Sequence, residues 1–197
     1  QTSLVGSEMC IRDRSRIDVD SLNYSIGFLI TADEEGPSKD GTVKVVEELL
    51  NRNEKIDYCL IGEPSTLETV GDNIRIGRRG SINIELEVLG KQGHAAYPAR
   101  VDNPIHKVVP FLDKLLNEVW DEGNEHFPPT SLQLTNITAG VGAHNVTPNN
   151  LYLKFNLRFS TQISGKAIQN KVENFLKSEG IKHKVSFDIN AEPFYSC

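Results

Sequence analysis

The chain has 197 residues, of which 38% are hydrophobic and 24% are charged, which is typical of a soluble globular protein and excludes a disordered polypeptide. Its net charge of -6 argues against a protein that binds nucleic acids or anionic membranes through a basic surface. No apolar run is long enough to span a bilayer and no signal-peptide pattern occurs, so the sequence predicts a cytoplasmic protein.

The first residues differ in character from the rest. The segment LVGSEMCIRDR, residues 4–14, has neither helical nor strand periodicity and resembles the translation of a sequencing adaptor. We therefore expect residues 1–15 to lie outside the native fold, and we expect the native chain to continue at both ends.

The next segment predicts a strand, a helix and a second strand. Apolar runs at 25–32 and 56–62 have strand length, and Cys59 within the second is expected in the core. Between them, DGTVKVVEELLNR has the apolar spacing of an amphipathic helix, with Asp40 as its N-cap. A βαβ unit with parallel strands and a right-handed crossover is the expected result.

Carboxylates follow both predicted strands. Asp33, Glu34 and Glu35 come directly after the first strand, and Glu63 comes directly after the second. Because ligands of open α/β sheets bind outside the carboxyl ends of the strands, these acids should converge at one edge. A solvated turn explains the first three alone, whereas the addition of Glu63 favours a metal or acid-base site.

From about residue 79 the pattern changes to half-buried strands. Alternation predicts strands at 81–90, 130–139, 150–160 and 181–190, with helices after Asn103 and at 164–179. This β-α-β-β-α-β order is the ferredoxin-like arrangement, and it implies a second domain with a boundary near residues 78–80.

The first of these helices has an apolar stripe, and Pro110 within it predicts a kink. The stripe consists of Ile105, Val108, Val109, Leu112, Leu115, Leu116 and Val119.

Seven segments in order resemble the dinuclear-zinc aminoacylase and carboxypeptidase family. They are TADEEG, CLIGEPS, GRRGS, GKQGHAAYP, WDEGNEHFPPTSLQ, GVGAHNVTP and FNLRFST. The resemblance implies an α/β protein in which a mostly parallel-sheet zinc hydrolase domain is followed by a ferredoxin-like lid that also forms the homodimer. The implied division is a partial catalytic domain at 16–79, a lid and dimerisation domain at 80–192, and a return to the catalytic domain at 193–197.

The resemblance also implies a metal site. Glu34 matches the general base, while Glu35 and Glu63 match ligands of two divalent metal ions, which are zinc or possibly cobalt. Asp33 matches no catalytic position and is interpreted as a turn residue. The family's other ligands, two histidines and a bridging aspartate, match no residue here, so we expect residues 1–197 alone to bind zinc weakly and to have no hydrolase activity. Tight stoichiometric zinc binding by this chain would refute that expectation.

Three further residues match lid positions that contact the substrate. His94 corresponds to the histidine that reaches the partner subunit's active site and stabilises an oxyanion. Tyr97 and Asn145 match neighbouring substrate contacts.

The remaining matches are to carboxylate-recognising positions. Arg78 and Arg158 correspond to them, with Ser81 beside the first. Arg79 is interpreted as a member of a surface or interdomain ion pair. Alternation alone leaves the direction of Arg158 undecided.

The activity implied is metal-dependent hydrolysis of N-succinyl-L,L-diaminopimelate to succinate and L,L-diaminopimelate by a cytoplasmic homodimer. Two alternatives stay open: an acetylornithine-type deacylase of the same family, and a non-catalytic dimerisation module. Assays on N-succinyl-L,L-diaminopimelate and on acetylornithine distinguish the main prediction from the first alternative. Gel filtration of residues 80–192 tests the second alternative.

Overall fold

The chain divides into two compact units, residues 1–69 and residues 70–197. The computed structural model describes residues 18, 21–31, 39–61 and 65–196. The adaptor-like segment 1–15 therefore lies outside the described residues. The predicted domain boundary near residues 78–80 stays a prediction.

The first unit has one helix among its described residues, α1 (Thr42–Asn51). The N-cap is Gly41 and no side-chain hydrogen bond caps the helix, so the prediction of Asp40 as N-cap is wrong by one residue. The helix buries none of its residues, and Val43 and Leu50 are 52% and 67% exposed. Its apolar stripe is therefore not covered by the described residues.

The predicted strands of the first unit are not formed in its described parts. Residues 25–31 and 56–61 have no strand structure, and their apolar side chains are largely exposed, as Leu60 shows with 89%. Cys59, expected in the core, is exposed as well. Parallel strands need further strands and covering layers to bury both faces, and the described residues of this unit provide only one helix.

The second unit contains the regular structure that alternation predicted. Its strands are β1 (Gly77–Arg78), β2 (Gly80–Leu89), β3 (Gly93–His94), β4 (Ser131–Ala139), β5 (Val146–Thr147), β6 (Asn150–Phe159), β7 (His183–Ala191) and β8 (Phe194–Tyr195). Its helices are α2 (Pro104–Asn117) and α3 (Gly165–Ser178), with a 3-10 turn at Pro98–Arg100.

The main sheet is antiparallel, with strand order β4-β6-β2-β7. The element order β2-α2-β4-β6-α3-β7 confirms the predicted β-α-β-β-α-β sequence of elements, and strand bounds agree within two residues. Two short antiparallel ribbons, β1 with β8 and β3 with β5, were not predicted. Two-residue strands contain too few residues to show alternation.

One face of the sheet carries the core and the other is polar. Residues at even positions of β2 and odd positions of β6 are buried, and both helices pack on this face. Helix α2 contacts β2 and β6, while α3 contacts β2 and β7. The largest fully buried side chains are Phe111, Phe155, Phe159, Ile82, Ile84, Leu86, Leu115, Leu151, Leu153, Leu157, Ile168 and Leu176.

Helix α2 is rotated relative to the predicted stripe. Phe111, which was not assigned to the stripe, is fully buried, whereas Val109 is 56% and Leu116 is 57% exposed. Val119 lies beyond the end of the helix. The helix remains continuous through Pro110. The prediction combined side chains from two apolar faces of α2. One face packs on the sheet, and the described residues leave the other uncovered.

The helix ends of the second unit follow capping chemistry. Asn103 accepts a hydrogen bond from the N–H of Ile105 at 3.0 Å, which confirms the predicted cap of α2. Ser164 caps α3 by accepting from the N–H of Ala167 at 3.2 Å, and Gly180, with φ of 61°, follows its end. Among the described residues no helix has the length and apolar character of a membrane span.

Candidate functional site

The predicted metal site falls on residues that the structure does not describe. Glu34, Glu35 and Glu63, together with Asp33, lie in the undescribed segments 32–38 and 62–64. Among the described residues, no group of three or more histidine, cysteine, aspartate or glutamate side chains could hold a metal ion. The roles of these four acids stay predictions.

The first cluster of predicted substrate residues lies at one end of the polar sheet face. Ser81 on β2 is the direct cross-strand partner of Arg158 on β6, and Ser131 on β4 flanks Arg158 on its other side. Ser81 is buried, whereas Arg158 is exposed. Antiparallel register therefore answers the question that alternation left open, because Arg158 shares the polar face with Ser81.

The charges around Arg158 leave it without a carboxylate partner among the described residues. On the same face, Lys154 pairs with Glu85 at 2.6 Å and Lys184 pairs with Glu87 at 2.9 Å. The hydrogen bond from Lys184 lowers the pKa of Glu87, partly opposed by desolvation, so that glutamate stays ionised and paired. Among the described residues the guanidinium of Arg158 has no anionic partner, and it can receive a carboxylate in a bidentate manner.

The hydroxyl of Ser81 is oriented by an asparagine. Nδ2 of Asn156 donates to Oγ of Ser81 at 3.3 Å, to the backbone oxygen of Ile82 at 3.1 Å and to Oδ1 of Asn83 at 2.7 Å. Because Oγ of Ser81 accepts this bond, its own proton is available for donation. Ser81 can thus donate to an acceptor that lies beside Arg158.

The two arginines that precede Ser81 have different surroundings. Arg78 is exposed on β1, where it pairs with Phe194 of β8. Nη1 of Arg79 donates to Oγ of Ser131 at 3.5 Å. Arg79 makes no ion pair with a described residue, so the interpretation of an ion pair is not supported there.

The second cluster lies on the ribbon formed by β3 and β5. His94 pairs with Val146, and the N–H of Ala95 donates to the backbone oxygen of Asn145 at 2.9 Å. The rings of His94 and Tyr97 are 5.8 Å apart, centroid to centroid. The ribbon therefore brings together His94, which the resemblance matches to an oxyanion donor, and Tyr97 and Asn145, which it matches to neighbouring substrate contacts.

The two clusters lie at opposite ends of the main sheet. Ser81 and Arg158 pair near the start of β2 and the end of β6, whereas the β3–β5 ribbon follows the end of β2 and precedes the start of β6. Leu89 ends β2 eight positions after Ser81, and at about 3.3 Å per residue this separates the two sheet ends by about 26 Å.

The first part of the motif WDEGNEHFPPTSLQ, residues 120–130, forms a loop that is held by hydrogen bonds of Asp121, and its last three residues begin β4. Oδ1 of Asp121 accepts from the N–H of Gly123 at 2.8 Å and of Thr130 at 3.1 Å, and Oδ2 accepts from the Thr130 hydroxyl. Desolvation raises the pKa of Asp121, but these bonds and one from Ser160 lower it more, so that it lies below its ordinary value. Asp121, Gly123 and Thr130 thus hold the structure of this loop.

Sequence reasoning missed two residues that position the clusters. Asn156 holds Ser81, and Thr147 holds the strand that bears His94. Thr147 lies inside the motif GVGAHNVTP and Asn156 inside FNLRFST, so both were within the segments that carried the resemblance. Their roles depend on cross-strand register, which no single strand pattern specifies.

Comparison with known proteins identifies the second unit. Residues 76–184 match the peptidase dimerisation domain family, a span of more than half the chain. The chain is 51% identical over 173 residues to the succinyl-diaminopimelate desuccinylase of Alkalilimnicola ehrlichii, covering 88% of this chain and 46% of that protein. It is 54% identical over 170 residues to the desuccinylase of Hahella chejuensis, covering 86% of this chain and 44% of that protein.

The chain thus spans about half the length of the curated relatives it matches. Among solved structures, the M20 family metallo-carboxypeptidase Sso-CP2 from Sulfolobus solfataricus aligns with a TM-score of 0.53 at 12% identity, over 60% of this chain and 45% of that one. This likeness supports the fold. With more than half of its residues matched, the chain belongs to the peptidase dimerisation domain family.

Proposed function

We propose that this chain is part of a succinyl-diaminopimelate desuccinylase, which hydrolyses N-succinyl-L,L-diaminopimelate to succinate and L,L-diaminopimelate. The names of its curated relatives support this proposal. The observation that carries it is the pairing of Ser81 with Arg158 on the open sheet face, with no carboxylate partner for Arg158 among the described residues. A substrate with several carboxylates suits this arrangement of donors.

The second cluster has a separate task in the proposed reaction. Amide hydrolysis passes through a tetrahedral intermediate whose oxyanion needs a donor, and His94 supplies that donor. Because the two clusters follow opposite ends of β2, which lie about 26 Å apart, we propose that His94 serves the active site of a partner subunit. Tyr97 and Asn145 contact the substrate of that same site.

The proposed chemistry requires divalent metal, held in part by Glu35 and Glu63. When bound, such an ion polarises the amide carbonyl and activates water. Glu34 accepts a proton from the attacking water and returns it to the departing amine. We propose that the metal is zinc, with cobalt as the alternative, and that the protein is located in the cytoplasm.

The homodimer is proposed to form through one surface of the second unit, the α2–β4 face. It consists of the apolar side chains Ile105, Val109 and Leu116 of α2, together with Ile137 and the open edge of β4. All four side chains are at least 40% exposed, and β4 is an outer strand of the sheet. A second copy would cover this apolar area and pair with the unpaired strand edge.

A chimaera tests the activity. The matching segment of the Hahella chejuensis desuccinylase is replaced by residues 25–197 of this chain, and release of succinate is measured. We expect activity on N-succinyl-L,L-diaminopimelate and little on N-acetylornithine, and we expect Arg158→Ala to lower kcat/KM at least about 100-fold because a carboxylate loses its bidentate partner. Arg75→Ala, which changes an exposed arginine outside both clusters, is the matched control.

A chimaera that prefers N-acetylornithine would support the deacylase alternative. A folded dimer without activity on either amide would favour the non-catalytic dimerisation module.

A further inference from the structure

We propose that the backbone N–H of Ala96 and the side chain of Thr147 are positioning groups for His94: together they hold its imidazole with the proton on Nε2. This inference rests on the proposed role of His94 as an oxyanion donor and adds how the chain prepares the ring for that role.

The contact at Nδ1 sets the tautomer. The N–H of Ala96 donates to Nδ1 of His94 at 3.1 Å. A backbone N–H can only donate, so Nδ1 must be the acceptor and carries no proton. In the neutral imidazole the single proton then resides on Nε2.

Thr147 fixes the backbone on which the ring is mounted. Its hydroxyl accepts from the N–H of Gly93 at 3.1 Å and donates to the backbone oxygen of Gly93 at 3.1 Å. On the other side of His94, Ala95 donates to the backbone oxygen of Asn145 at 2.9 Å. Both neighbours of His94 are therefore held by the β5 segment, which keeps the turn from His94 to Ala96 in the shape that the Nδ1 contact needs.

Gly93 adds a steric constraint to the same place. A Cβ atom at this position would meet Cγ1 of Val101 at 2.4 Å, so β3 lies against the chain segment that follows it in the sequence. At this close approach, the two hydrogen bonds between the Thr147 hydroxyl and the backbone of Gly93 hold the register between β3 and β5.

The resulting donor suits an oxyanion. His94 is exposed, and Nε2 has no hydrogen-bond partner among the described residues. With its proton on Nε2, the ring offers an N–H to an external anion. The opposite tautomer would offer a lone pair, which repels negative charge.

The test measures the tautomer directly on this chain, without metal or substrate. Long-range ¹H–¹⁵N correlation spectra of the histidine rings are recorded at about pH 8, where an ordinary histidine is neutral. We expect His94 to show only the Nε2–H form, whereas the exposed His106 on α2 shows exchange between both forms.

Two variants of one residue separate positioning from general stability. Thr147→Val removes both hydroxyl bonds, and we expect the His94 ring to acquire the mixed pattern of His106. Thr147→Ser retains the hydroxyl and should preserve the wild-type spectrum. Fluorescence of Trp120, which is buried in the same unit, verifies that each variant is folded.

The proposal is overturned if wild-type His94 shows the same mixture as His106, or if folded Thr147→Val keeps the single Nε2–H form. If Thr147→Val does not fold, the wild-type spectra of His94 and His106 decide. Failure here leaves the hydrolysis assay of the chimaera unaffected, and failure of that assay leaves the tautomer result unaffected.

Discussion

At the scale of single residues, Asp121 shows how one carboxylate organises a long connection. It lies between the buried Trp120 and the backbone groups of Gly123 and Thr130, and its bonds close the loop that leads from α2 to β4. Gly123 has φ of 72°, and a Cβ there would meet the backbone oxygen of Phe127 at 2.6 Å. The loop therefore needs a glycine at this position and an anionic acceptor beside it.

Asp121→Asn should destabilise the second unit by about 1–2 kcal/mol at neutral pH, because charged acceptors form the stronger bonds. The folded-state pKa of Asp121 is lowered, so its contribution is present above the ordinary aspartate range and is lost as the pH falls through the folded-state pKa. The difference between variant and wild type should thus shrink below about pH 4. Urea titrations followed by fluorescence of Trp120, the chain's single tryptophan, measure both effects.

Glu122→Gln, at the exposed neighbouring position, is the matched control and should change stability little. A penalty for Asp121→Asn that is equal at pH 7 and pH 3 would contradict the role of its charge.

At the scale of secondary-structure elements, strands were predicted better than helix faces. A strand has two faces, so alternation along β2 and β6 identified the buried residues directly. Helix α2 has apolar residues over more than half of its circumference, and the sequence pattern could not say which part packs on the sheet. In the structure, the face that contains Val108, Phe111 and Leu115 packs on the sheet.

Phe111→Ala should therefore cost about 3–5 kcal/mol of unfolding free energy, because it opens a cavity among fully buried side chains. Val109→Ala should cost less than about 0.5 kcal/mol, because its side chain is exposed in the protomer. Denaturant unfolding of dilute protein that elutes as a monomer gives both values. A larger penalty for Val109→Ala than for Phe111→Ala would mean that α2 packs as the sequence stripe predicted.

At the scale of the whole molecule, self-association and activity are proposed to be linked. The His94 cluster and the Arg158 cluster lie at opposite sheet ends, and under the proposed function two copies of the second unit together supply the substrate contacts. The family match to a dimerisation domain agrees with that requirement. The uncovered apolar face of α2 and the outer strand β4 are the surfaces that a second copy would use.

Val109→Asp should weaken the dimer at least about 100-fold, because it places two unpaired charges in the α2–β4 faces of the pair. Size-exclusion chromatography with light scattering over a concentration series measures the shift. Asn170→Asp adds the same charge at an exposed position of α3 and should leave the dimer intact. A wild-type monomer at high concentration, or an unchanged Val109→Asp dimer, would contradict the proposed interface.

The sequence by itself determined the elements of the second unit, because alternation and capping residues are local properties of the chain. It also named His94, Tyr97, Asn145, Ser81 and Arg158 through resemblance. Only the tertiary structure decided that these residues form two clusters and that Arg158 faces Ser81, since cross-strand register is a long-range property. In the described residues 25–31 and 56–61 the expected strands are not formed, for the same reason: an apolar run becomes a strand only when a neighbouring backbone pairs with it.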